Sequence, residues 1–107
     1  LPEVYNSTYK FLLLEDYLVM KLTGRYVTNP AIMCTTGYFD IRTDTVWTEI
    51  LETCGVDPQK IPDVLPCAQK ISNLRKEAAD ALGLSCNTIV STGAMDQVTG
   101  AIGAGNI

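Results

Sequence analysis

The sequence predicts an α/β fold made mostly of helices with a few short strands. Three observations carry this expectation. The segment "NSTYKFLLLEDYLVMKLTG" has the apolar spacing of a helix. "NTIVST" is a compact apolar run of strand length, followed at once by Gly93 and a second helical pattern. The composition, 47% hydrophobic against 19% charged, describes an ordered chain with a core rather than a disordered one.

The first helix is expected from about Thr8 to Thr23. Asn6 or Ser7 can cap its start, and Gly24 stands where a left-handed residue closes a helix. Phe11, Leu14, Leu18 and Leu22 form one stripe, widened by Leu12, Leu13, Val19 and Met20. So broad an apolar surface suits a helix buried on most sides, with Asp16 and Lys21 reading as an exposed structural pair. Tyr26–Thr28 and Tyr38–Ile41 carry strand-like residues, punctuated by Asn29–Pro30 and Gly37. Asp44 or Thr45 then caps a helix through "VWTEILETCG" that Gly55 ends, and "DPQKIPDVLP" is a connector with one short helical turn. "RKEAADALGL" is a short helix beginning near Ser72–Asn73 and stopped at Gly83. "NTIVST" follows as a buried strand, then a helix from about Met95 to Ala104. No internal repeat, low-complexity tract or second domain is visible in 107 residues.

Charge and cysteine usage narrow the function. Eight Lys and Arg against twelve Asp and Glu give a net charge of −4, the wrong balance for a protein that neutralises phosphates along nucleic acid. Histidine is absent and none of Cys34, Cys54, Cys67 and Cys86 forms a C-x-x-C pair, so no metal site is expected. The cysteines read as reduced and buried, in keeping with a cytoplasmic protein. The apolar run "FLLLEDYLVM" is interrupted by Glu15 and Asp16, and the segment from Ile89 by Asp96, Gln97 and glycines, so neither reads as a membrane span. The chain begins "LPEVY" without Met and stops just after a helical pattern, as a piece of a longer protein would.

Asp96 stands out. The order strand, glycine, Asp-Gln, helix puts its carboxylate in the first turn of a helix, where free N–H groups and the helix dipole favour an anion. Ligands of α/β folds also gather at such strand ends. The plain alternative is an acidic residue that stabilises the helix by a few tenths of a kcal/mol. Gly100 and Gly103 lie on one face of this helix, which implies close backbone approach of a neighbour or ligand. No G-K-[ST] follows to make a phosphate loop, and "GAG" at Gly103–Gly105 lies at the helix end, out of place for a dinucleotide fingerprint.

Five blocks in order, "DYLVMKLTGRYVTN", "TTGYFDIRTDTVW", "GVDPQKIPDVLP", "KEAADALGL" and "IVSTGAMDQVTGAIGAG", resemble the FGGY family of carbohydrate kinases, which includes xylulose kinases and glycerol kinase. The resemblance is xylulose-kinase-like and runs over essentially the whole chain. It implies that residues 1–107 are the later half of the family's amino-terminal domain, an actin-like, ribonuclease-H-like α/β ATPase unit. It implies that Asp96, in the G-x-x-D block, is the general base of an ATP-dependent kinase, and that Gln97 binds sugar hydroxyls. ATP and Mg are then implied for the intact protein, with phosphate loops and adenine pocket outside this chain and a small ketose or polyol such as xylulose as acceptor. Nucleic acid and membrane are not expected partners, and the broad apolar helix makes a homodimer an expectation. Thr28-Asn29 departs from the Thr-Asp frequent in relatives, replacing a charge by an amide. Rival readings are an actin- or chaperone-type ATPase without a sugar acceptor, and a non-catalytic structural fragment in which Asp96 only caps its helix.

Overall fold

The computed structural model describes residues 1–106, and its elements are short. Helix α1 spans Pro2–Ser7, α2 Leu14–Thr23, α3 Pro30–Met33, α4 Thr48–Thr53, α5 Lys76–Leu82 and α6 Asp96–Gly103. Strands β1 (Val27–Thr28) and β4 (Asp63–Val64) pair in parallel, β2 (Phe39–Asp40) and β3 (Thr45–Val46) form an antiparallel hairpin, and β5 (Lys70–Asn73) pairs antiparallel with β6 (Ile89–Ser91). A parallel pair requires a crossover. Here the crossover is α3, the β2–β3 hairpin and α4 in sequence.

The core is small. Met33, Phe39, Leu51 and Ile61 are buried together, with Tyr38, Val46, Val56 and Val64 packed around them. Leu51 is wholly enclosed, and a side chain so placed contributes ~1.5–3 kcal/mol relative to exposure. The molecule measures 44 × 39 × 20 Å with a radius of gyration of 15.6 Å, against about 13 Å for a compact domain of this length. It is a slab, and a slab leaves apolar surface outside.

Several expectations are corrected at their boundaries. Asn6 and Ser7 end α1 rather than capping the next helix, and residues 8–13, with a bend at Tyr9, stay non-helical before α2 begins at Leu14. Tertiary hydrogen bonds explain this override of an apolar, helix-compatible run. The Phe11 N–H donates to the Lys60 carbonyl at 2.8 Å, Lys10 Nζ to the carbonyls of Gln59 and Ile61 at 2.7 Å each, and Lys60 Nζ to the Thr8 carbonyl. Thr45 pairs with Asp40 instead of capping α4, and Asp44 takes φ +58° in the hairpin turn. Ser72 and Asn73 belong to a strand, so α5 starts four residues later than Ser72, at Lys76. Gly24 and Gly83 close their helices in the left-handed conformation, as expected.

Burial differs more deeply than boundaries. Leu14 and Leu18, expected inside, are 77% and 53% exposed, while Asp16 is 2% exposed and the one buried residue of α2. Asp16 and Lys21 are therefore not an exposed pair; Lys21 instead lies over the Tyr17 ring, 5.3 Å from its centroid. Strand β6 is not buried either, and all four cysteines are exposed and unpaired. Nothing lies within 4 Å of where a Cβ on Gly100 or Gly103 would stand, so the close approach expected there is not made among the described residues.

Candidate active site

Thr92 anchors the segment that leads to Asp96. Its N–H donates to the Gln69 carbonyl at 2.8 Å, its carbonyl accepts from Ala68 N–H at 3.2 Å, and its hydroxyl donates to the Pro66 carbonyl at 2.6 Å while accepting from Gln69 N–H at 2.9 Å. This fixes the end of β6 against the loop before β5. Beyond it Gly93, Ala94 and Met95 carry the chain into α6, with Asp96 as its first residue. Both Asp96 and Gln97 are exposed, side by side. Asp96 Oδ1 accepts from the Gln97 N–H at 2.8 Å, and no cation pairs with Asp96 among the described residues. An open carboxylate at a helix start, next to an amide that can both donate and accept, can take a proton from a bound hydroxyl and hold its neighbours. Val98 and Ile102, further along α6, are 42% and 56% exposed, so the helix offers its apolar residues outward.

Behind this turn lies a partly open pocket of about 150 Å³ whose surface is mostly apolar, with Val19 and Val27 in its lining and Glu15, Asp16, Thr28, Asn29 and Thr92 as its polar side chains. Helix α2 packs against β1, β5 and β6, which brings the start of α2 to the end of β6. Asp16 Oδ2 accepts the Leu13 N–H at 2.9 Å, satisfying an otherwise free donor ahead of α2. Burial pushes the Asp16 carboxyl above the usual 3.8. The Leu13 N–H and the nearby Thr28 hydroxyl pull it back only in part. Thr28 is 2% exposed, and its Oγ1 faces the Asp16 carboxyl without completing a well-formed hydrogen bond among the described residues. Asn29, 4% exposed, caps α3 by accepting from Ile32 N–H at 3.2 Å and also accepts a 3.6 Å bond from the Cys67 thiol. The amide therefore does structural work here. Sequence reasoning noticed Asp16 but misplaced it. Its signal is the position, three residues after Leu13, from which a carboxylate reaches back to the helix start.

No cluster of three or more His, Cys, Asp or Glu able to hold a metal ion occurs among the described residues. No helix is long and apolar enough to cross a membrane.

Residues 1–103 match the FGGY family of carbohydrate kinases, N-terminal domain. The chain belongs to that family. It is 34% identical over 101 residues to xylulose kinase of Staphylococcus xylosus, which covers 94% of this chain and 21% of that protein. It is 31% identical over 106 residues to erythritol kinase of Brucella abortus, covering 97% of this chain and 20% of the relative. The crystal structure of ligand-bound xylulose kinase from Lactobacillus acidophilus superposes with a TM-score of 0.92 at 25% identity, over 99% of this chain and 22% of that one. The fold is thus that of the actin-like, ribonuclease-H-like ATPases, as this FGGY member was expected to be. The chain spans about one fifth of the length of the curated relatives it matches.

Proposed function

We propose that this chain is the later half of the amino-terminal domain of an ATP-dependent sugar kinase that phosphorylates a ketose or polyol such as xylulose. Asp96 is its general base and Gln97 a sugar-binding residue. The observation that carries the reading is the family match across residues 1–103, joined to an exposed, unpaired carboxylate on the first residue of α6. The sugars that two relatives are named for, xylulose and erythritol, support a small polyhydroxylated acceptor.

In the reaction the acceptor hydroxyl gives its proton to the Asp96 carboxylate. Its oxygen then forms a bond to the γ-phosphorus of ATP, while the bond to the bridging oxygen breaks and ADP leaves. Gln97, adjacent on the helix, accepts from one sugar hydroxyl and donates to another. Mg normally accompanies ATP in such transfers. The described residues form no cluster of three or more carboxylates for it. Exposed, unpaired thiols support a reducing, cytoplasmic setting.

Asp96→Asn in the intact protein tests the base. It keeps the shape and removes the proton acceptor, so kcat should fall by at least ~10²-fold with ATP KM nearly unchanged. Near-normal turnover would remove Asp96 from the mechanism.

A further inference from the structure

The pocket behind the Gly93 turn holds a hydroxyl that faces Asp16 but completes no well-formed hydrogen bond among the described residues. This is Thr28 Oγ1, which is buried. Buried polar groups almost always find a partner. Across the same cavity Asp16 uses Oδ2 for the Leu13 N–H and belongs to no ion pair among the described residues. The Asn29 side chain spends its oxygen on Ile32 and Cys67, leaving two amide hydrogens to give. A pocket of about 150 Å³ has room for ordered water, since one molecule needs only ~10–15 Å³ and two to four polar partners, and Asp16, Thr28 and Asn29 can supply these. Most of its lining is apolar, so a water there is held at the few points where the carboxylate, hydroxyl and amide break that surface.

The cavity's position gives such water a task. Gly93 is part of its wall and stands three residues before Asp96. The dense bonding of β6 ends at Thr92, so whatever fills the cavity supports the turn between that anchor and the carboxylate. We propose that ordered water in this cavity links Thr28 and Asp16 to the Gly93 turn, making both of them positioning residues for Asp96. The positioning half rests on the role of Asp96 given above. Neither side chain touches the reacting atoms; each acts through the turn.

Thr28→Val removes the hydroxyl while keeping the volume and the β-branch, and Thr28→Ser restores the hydroxyl. In the intact protein, Thr28→Val should lower kcat about 10-fold, a loosening of the turn rather than the ~10²-fold cost of a full 1 Å misplacement. Sugar and ATP KM should stay within about twofold, and Thr28→Ser should recover most of the turnover. A high-resolution crystal structure should place water within hydrogen-bond distance of Thr28 Oγ1 and Asp16, lost in Thr28→Val. Unchanged kcat in Thr28→Val beside an inactive Asp96→Asn would overturn the positioning role. So would a raised sugar KM with kcat intact, because the cavity would then be a sugar subsite. If Asp96→Asn itself turns over normally, the base assignment has failed and the positioning role with it. Occupancy of the cavity is still decided by the crystal: a dry cavity, or one filled by a side chain from elsewhere in the intact protein, overturns that half.

Discussion

Replacing Asp16 by Asn should change how stability depends on pH. The carboxyl is 2% exposed, accepts one backbone hydrogen bond and has no cationic partner among the described residues. Its folded-state pKa is raised above 3.8, with burial the leading cause. A raised pKa means that the folded chain binds the proton more tightly than the unfolded one. The contribution to stability is then complete below about 3.8 and is lost as pH rises through the folded value. Within that window one additional bound proton is worth up to ~1.4 kcal/mol per pH unit. An Asn at position 16 can still accept the Leu13 N–H, so the cap, worth ~1 kcal/mol, is retained while the titration disappears. Asp16→Leu loses both, and should fall below Asp16→Asn by about that 1 kcal/mol at every pH. Urea unfolding of the chain between pH 3.5 and 7, followed by fluorescence of Trp47, measures all three. Asp40 titrates in the opposite sense, because the Arg42 N–H holds its carboxyl low and its contribution fades as pH falls. It is common to every variant and cancels in the difference. If Asp16→Asn and wild type run parallel across the range, Asp16 is equally charged in both states and its burial has been misjudged.

Gln97→Ala in the intact protein should weaken sugar binding by roughly 1–3 kcal/mol, the cost of leaving a hydroxyl or its partner unsatisfied, and should do so first in sugar KM. A change confined to ATP KM would show that Gln97 has been assigned to the wrong ligand. The isolated 107-residue chain should neither phosphorylate sugars nor bind Mg·ATP in calorimetry, since phosphoryl transfer depends on positioning all participants together. Light scattering should find it self-associating through Leu14, Leu18 and the outward residues of α6. Saturable ATP binding by a clean monomer would contradict both expectations.

Local chemistry was readable wherever it alone decides the outcome. Gly24 and Gly83 ended their helices, Pro58 sat in a single helical turn, and Gly93 joined β6 to α6. Asp96 was placed correctly at its helix start because strand, glycine and helix are all short-range signals. What could not be read was set by distant partners. "FLLL" is a helix by spacing, yet residue 11 is held out of the helix by a carbonyl nearly fifty positions away. Thr45 looked like a cap and became a strand because Asp40 stands opposite. Burial was the hardest property to infer. Apolar spacing on α2 marked a face to be covered, but within these residues that face is largely open, and the side chain that turns inward is the charged one.

The two lysines that clamp the non-helical segment also set an order of events during synthesis. Lys10 grips the carbonyls of Gln59 and Ile61, and Lys60 reaches back to Thr8, with the Phe11–Lys60 backbone bond between them. Every one of these ties spans about fifty residues, so none can form until residues 59–61 have left the ribosome. Until then the run "FLLLEDYLVM" is free to follow its local preference for helix, and closing the long loop must later undo that choice. The nascent chain therefore passes through a period in which Phe11–Leu13, at the head of its apolar run, can be drawn into the helix that should begin at Leu14. That makes residues 8–13 a natural place for a chaperone to hold the growing protein.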